Sequence, residues 1–290
     1  MTETATLVGR PVHRIGFGAM QLPGKGVFGP PRDRDAALAV LRRAIELGVN
    51  HIDTAQYYGP DVSNELIHAA LHPYPDDLVL VTKVGGDRDD KGGWIGAQRP
   101  EQLRAGVEAN LRSLQIERID AVNLRRMDEH TEGADESNDQ HVPLADQLAE
   151  LVALRDEGKI GGIGLSTVDV DQLREGLDYT DIVCVQNAYN LRQRDDQPVF
   201  DLCRERGIPY VPYFPLGSAF GVSVHVTQDD AVKSVAQRLG VTATQVGLAW
   251  LLAQSDNVLL IPGTSSVEHL EENLGAGDVT LDDEALAELG

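Results

Sequence analysis

The chain has 290 residues and carries 25 Lys+Arg against 46 Asp+Glu, a formal net charge of −21. Hydrophobic residues make up 42% and charged residues 24%, which is a globular composition and excludes a disordered chain. The excess of acid argues against charge-driven binding to nucleic-acid phosphates or to anionic membranes.

Short apolar, β-rich runs alternate with stretches of helical period. The first run covers residues 14–20. A helix is expected over 33–47, where Leu38, Leu41 and Ile45 recur at helical spacing and Gly48 stops it. The second and third runs cover 49–53 and 78–84. Pro100 starts a second helix, with Leu103, Val107 and Leu111 on one face. The fourth run covers 119–124, and the acidic stretch 128–140 reads as a solvated loop. Pro143 opens a third helix, with Leu144, Leu148 and Leu151, ended by Gly158. The fifth and sixth runs cover 160–166 and 182–186. A helix over 196–206 is closed by Gly207 just before the seventh run, 208–214. The loop after Gly217 is short, the next helix starts near Gln228, and the eighth run covers 258–262.

Near-continuous Val, Ile and Leu in these runs describes strands buried on both faces, as in parallel sheets. Eight of them, mostly followed by helices, predict a (β/α)8 TIM barrel, one α/β domain over residues 1–290. The competing doubly wound sheet needs a Gly-rich turn that opens a helix. Gly16-Phe17-Gly18 is followed by no helix start, and Gly158, Gly161, Gly162 and Gly164 precede a strand or lie within it. Cys184 and Cys203 form no disulfide framework and no metal-ligand pattern. The N-terminus lacks a basic start with an apolar core, and no apolar stretch approaches the ~18 residues of a membrane span. The expectation is a cytoplasmic protein without a metal, of a size that leaves its oligomeric state open.

In such a barrel the active site lies at the C-terminal ends of the strands. Asp53 ends the second run with Tyr57 and Tyr58 just beyond, and Lys83 lies near the end of the third. A buried lysine needs a carboxylate, so Asp53 can hold Lys83 charged. Lys83 can then lower the pKa of a nearby tyrosine, which gives a proton to a carbonyl oxygen or takes one from an alcohol. The matching hydride is beyond any side chain and implies a nicotinamide cofactor.

At Asp53-Thr54-Ala55-Gln56-Tyr57-Tyr58-Gly59 the chain resembles the aldo-keto reductase superfamily. The likeness continues through Gly16–Leu22, Val81-Thr82-Lys83-Val84, Val185–Asn190 and Ile261–Asn273. Gly26–Arg34, Val49–Thr54, Val122–Arg125 and Pro212–Gly217 look like its bacterial pyridoxal reductase (pyridoxine 4-dehydrogenase) branch. The resemblance implies NADP-dependent reduction of a small-molecule aldehyde or ketone, with pyridoxal to pyridoxine as the branch reaction and NAD as the other cofactor. It assigns the catalytic set to Asp53, Tyr58, Lys83 and Arg125; Arg125 stands where the superfamily commonly has histidine. Arginine is always charged, so it can donate hydrogen bonds to an oxyanion or a substrate hydroxyl but cannot relay a proton.

The same correspondence assigns the cofactor site. Ser166 and Gln186 hold the carboxamide, Tyr213 stacks on the nicotinamide, and Pro215, Leu216 and Gly217 follow it. Thr167 stands where asparagine is common. Gly263, Thr264 and Ser265 lead into a helix whose free N–H groups suit phosphate. His269 stands where many relatives carry arginine, and Glu272 and Asn273 fit the adenine positions. Phe28, Trp94 (in the Gly-rich loop 85–96), Phe220 and Arg125 are candidate walls of the substrate pocket. His51 is expected in or beside a strand and His68 on a helix. Two rival readings use the same barrel: a cofactor-binding regulatory or scaffold protein with little turnover, and an isomerase or lyase that forms a Schiff base on Lys83.

Overall fold

The computed structural model describes residues 4–127, 140–217 and 225–290. Six parallel strands form a curled sheet in the order β10-β9-β8-β5-β4-β3: β3 (Phe17–Gly18), β4 (His51–Asp53), β5 (Val79–Val84), β8 (Ile119–Arg125), β9 (Ile160–Ser166) and β10 (Ile182–Gln186). Two segments complete the ring through isolated parallel bridges, Val185 with Tyr210, Tyr210 with Val258, and Ile15 with Leu260. The sheet is therefore the (β/α)8 barrel that the alternating pattern predicts. The seventh and eighth runs are bridges rather than full strands. Pro209, Pro212 and Pro262 have no N–H to give to a ladder.

Arg14 fastens this seam. Its buried guanidinium donates to the carbonyls of Val258 at 3.2 Å, Leu252 at 2.7 Å and Ser255 at 2.6 Å. Arg14→Met strips donors from carbonyls at the seam, so it should cost about 2–4 kcal/mol, read as a lower midpoint in urea unfolding.

The helices follow their sequence signals. In α1 (Arg34–Glu46) the N-cap Asp33 accepts from the Ala36 N–H, and Gly48, at φ 89°, follows its end. In α3 (Pro100–Leu114) proline sits at the first position; α4 (Leu144–Asp156) is followed by Gly158 at φ 82°, and α6 (Gln197–Arg206) by Gly207 at φ 65°. Helix α2 (Val62–Leu71) carries His68, α7 (Asp230–Leu239) starts two residues after Gln228, and α9 (Val267–Gly275) follows the eighth segment. The apolar faces of these helices and the outward strand residues make one large core, while Leu7, Val12, Val79, Val81, Ala121 and Leu259 fill the barrel's lower interior.

Two hairpins were not anticipated. β1 (Thr4–Leu7) and β2 (Arg10–His13) pair antiparallel, and Leu7 and Val12 plug the barrel from below. The segment 85–96, expected as a loop, holds the antiparallel pair β6 (Gly86–Arg88) and β7 (Trp94–Gly96). Most of the 128–140 stretch and all of Phe220 lie outside the described residues. No helix among the described residues is long and apolar enough to cross a membrane, and no metal-ligand cluster occurs among them.

Candidate active site

The strand ends converge on one cleft of about 210 Å³ at the C-terminal rim of the barrel. Register explains the convergence. Lys83 on β5 lies level with Asn123 on β8, and Arg125, Ser166 and Gln186 are level on the neighbouring strands β8, β9 and β10. Gly18 and Gly263 form the floor between the first and eighth segments. A Cβ on either would collide with the other segment's backbone, so only glycine allows this approach.

Asp53 and Lys83 are both buried and make an ion pair through Asp53 Oδ1. The carboxylate's other oxygen accepts from Gln186 Nε2 at 2.9 Å, and the ammonium also donates to the Thr54 carbonyl at 3.2 Å. Each member of the pair thus has a hydrogen-bond partner beyond the other, which helps a buried ion pair to be tolerated. Lys83 Nζ lies over the Tyr58 ring, 5.0 Å from its centroid. Below this layer, His51 on β4 is buried and held neutral by desolvation, its pKa lowered to about 4.

The Tyr58 phenol is raised above its ordinary pKa, first by burial and then by the Asp53 carboxylate, while Arg125 leads the influences that lower it. On balance, therefore, burial outweighs the cations around the phenol. Asp53 neutralises the ammonium, and the guanidinium at the end of β8 supplies the positive potential. Arg125 is partly buried and lies over the Tyr213 ring, 5.1 Å from its centroid. Burial works against its charge, but the phenols of Tyr57, Tyr213 and Tyr58 around it leave its pKa above the usual arginine value.

Asp53, Tyr58, Lys83, Arg125, Gln186, Tyr213, Pro215, Leu216, Gly217, Gly263 and Asn273 all line the cleft. Ser166 is buried at its edge, and the next residue, Thr167, is held at φ 59° because Asn187 Oδ1 accepts from its N–H at 2.7 Å. Thr167 also shares a 3.3 Å hydrogen bond with the Tyr213 hydroxyl. Thr264 points inward, its hydroxyl accepting from the Ser266 N–H at 3.1 Å. Ser265 and His269 are exposed at the start of α9, and Glu272 is partly buried one turn on.

Phe28 and Trp94 are not on the cleft wall. They lie on Arg88, whose guanidinium carbon is 5.9 Å from the Phe28 ring centroid and 3.5 Å from that of Trp94. Arg88 in turn donates to the carbonyls of Tyr57, Gly26, Val27 and Gly92, which fixes the loops flanking Tyr58. Sequence reasoning passed over Met20, Gln21, Phe214, Ile261 and Pro262, all on the cleft. Each lies within a few residues of a strand end, the rule that found the others. Asn187, just beyond the sixth run, is a further such residue, and its side chain shapes the Thr167 turn.

The aldo/keto reductase family model matches residues 14–290. The chain belongs to that family. Such a protein is an NADP(H)-dependent carbonyl reductase. This aldo/keto reductase is 46% identical to pyridoxine 4-dehydrogenase of Escherichia coli, over 99% of the chain and 97% of the relative. It is 30% identical to probable aldo-keto reductase 1 of Glycine max, over 96% of this chain and 84% of that one. Among solved structures, an aldo/keto reductase from Klebsiella pneumoniae in complex with NADP and acetate superposes with TM-score 0.80 at 26% identity, covering all of this chain and 94% of that one.

The reductase's own atoms fit a nicotinamide. Gln186 Oε1 is buried at the cleft and has no hydrogen-bond partner, because its amide nitrogen is committed to Asp53. A carboxamide N–H is the donor it lacks. The Tyr213 ring offers a flat apolar face beside it, and the N-terminus of α9 offers free N–H groups for phosphate.

Proposed function

We propose that this reductase converts pyridoxal, or a closely similar ring aldehyde, to its alcohol in the cytoplasm, from one barrel domain spanning residues 1–290. The carrying observation is that Tyr58, the Asp53–Lys83 pair and Arg125 line one cleft with the unpartnered Gln186 oxygen. The full-length similarity to pyridoxine 4-dehydrogenase supports the substrate, and the free, buried Cys184 and Cys203 accord with a reducing compartment.

NADPH, when bound, supplies the hydride. Tyr58 donates its phenolic proton to the carbonyl oxygen as negative charge develops there, and afterwards regains one from solvent. Its raised pKa keeps it protonated at neutral pH, which is the state an acid needs. Lys83 and Asp53 hold the ring face, and Arg125 keeps the cleft positive where the oxyanion forms. Gln186 and Ser166 position the carboxamide, Tyr213 the ring, and the stretch Pro215–Gly217 together with Gly263–Ser265 the phosphates. His269, Glu272 and Asn273 are placed for the adenosine end.

The test follows the absorbance of NADPH, and separately NADH, with pyridoxal and a panel of aldehydes. The expected result is oxidation of NADPH with one pyridoxine formed per cofactor consumed, and slower use of NADH. Tight NADPH binding with no oxidation by any carbonyl would replace this reading with the regulatory one.

A further inference from the structure

The Asp53–Lys83 pair is neutral as a unit, so the charge left on the cleft floor is that of Arg125. No carboxylate pairs with it among the described residues. Arg88 also pairs with no carboxylate among them, but backbone carbonyls take up its N–H groups, as they do those of Arg14. Arg10 pairs with Asp120, Arg104 with Glu150 and Glu157, and Arg238 with Asp282. A guanidinium drawn away from water costs free energy unless an anion faces it. Arg125 is instead surrounded by the neutral phenols of Tyr57, Tyr58 and Tyr213. Its guanidinium lies over the Tyr213 ring and beside the Tyr57 hydroxyl, and it lines the cleft where a ligand can meet its N–H groups.

We propose that Arg125 reads an anionic oxygen that the substrate carries beside its carbonyl group, and that aromatic aldehydes with an ortho phenolate are the class that fits. This rests on the reductase reading above. Two observations point to the class. The carbonyl oxygen must meet the Tyr58 hydroxyl, and Arg125 is a near neighbour of that phenol, so the anionic oxygen lies only a few bonds from the carbonyl. The cleft wall left over from the cofactor positions includes the apolar Met20 and Phe214, and suits an aryl body.

Chemistry gives the pairing a purpose. An ortho phenolate pushes electron density into the carbonyl and weakens it as a hydride acceptor. Hydrogen bonds from Arg125 hold that charge on the phenolate oxygen and restore the electrophile. They also free the carbonyl oxygen from the internal hydrogen bond that a neutral ortho phenol would make, leaving it for Tyr58. Pyridoxal carries its ring hydroxyl ortho to the aldehyde and belongs to this class.

Steady-state kinetics with NADPH test it on benzaldehyde, 2-hydroxybenzaldehyde, 2-methoxybenzaldehyde, 4-hydroxybenzaldehyde, phenylglyoxylate and the methyl ester of phenylglyoxylate. The native enzyme should prefer 2-hydroxybenzaldehyde to 2-methoxybenzaldehyde by about 10- to 100-fold in kcat/KM, the range of one charge-assisted hydrogen-bonded contact. The 4-hydroxy isomer should gain no such advantage over benzaldehyde. In Arg125→Met the ratio should fall to near one, mostly through KM of the hydroxy substrate, and Arg125→Lys should restore part of it. Equal rates on the two ortho compounds in the native enzyme, or an unchanged ratio in Arg125→Met, overturn the inference while leaving the reductase reading intact. A preference for phenylglyoxylate over its ester, without one for 2-hydroxybenzaldehyde, also overturns it by assigning the anion to a carboxylate. If none of these carbonyls nor pyridoxal is reduced, the reductase reading itself fails.

Discussion

Tyr58→Phe should lower kcat by about 10²- to 10⁴-fold, the usual worth of a positioned general acid, while NADPH affinity changes by less than about threefold. The variant keeps the ring that Lys83 faces at 5.0 Å and removes only the hydroxyl. Packing with Tyr57, whose ring centroid lies 5.4 Å away, also survives. Fluorescence titration of NADPH and single-turnover kinetics separate the two quantities. A variant that binds cofactor and retains its rate would show that the proton comes from elsewhere, with water beside Arg125 the first alternative.

Lys83→Met should cost about 3–5 kcal/mol of stability, because it leaves the buried Asp53 carboxylate without its cation. At this chain length the melting temperature should drop by about 10 °C. Gln186 Nε2 remains as a donor to Asp53, but one neutral donor does not replace an ammonium. The double variant Lys83→Met with Asp53→Asn should recover a large part of the loss, since the uncompensated charge is gone. Calorimetry on the four proteins of the cycle measures this directly. Additive losses in the double variant would mean that the two groups are stabilised independently, by Thr54 and Gln186 in turn.

The central strands β5, β8, β9 and β10 were legible because Val, Ile and Leu fill them and because both faces are covered. The seam was not, since an apolar run reports burial and says nothing about donors. Tyr210 and Val258 are fully buried yet pair only through isolated bridges, and Pro209 and Pro212 flank Tyr210. The N-terminal hairpin was missed for another reason. Its turn places Val8 at φ 52° and Gly9 at φ 73°, and a β-branched residue is a poor turn signal. Within the site, reading the strand ends found Asp53 and Lys83, the family resemblance assigned Arg125 and Gln186, and register brings all four to the same rim. Phe28 and Trp94 show the limit of that reasoning. An aromatic side chain in a flanking segment can face a ligand or shield a cation, and only packing shows that these two shield Arg88.

The barrel's closure has a bearing on how the protein breathes. Along the join between the sixth, seventh, eighth and first segments, a handful of amide contacts and one arginine do the work that full ladders do elsewhere. The cleft straddles that join, with Gln186 and Tyr213 on one bank and Gly18 and Gly263 on the other. On the proposed cofactor placement, a dinucleotide laid across it would splint the weakest stave of the cask, and its departure would leave the enzyme a place to flex.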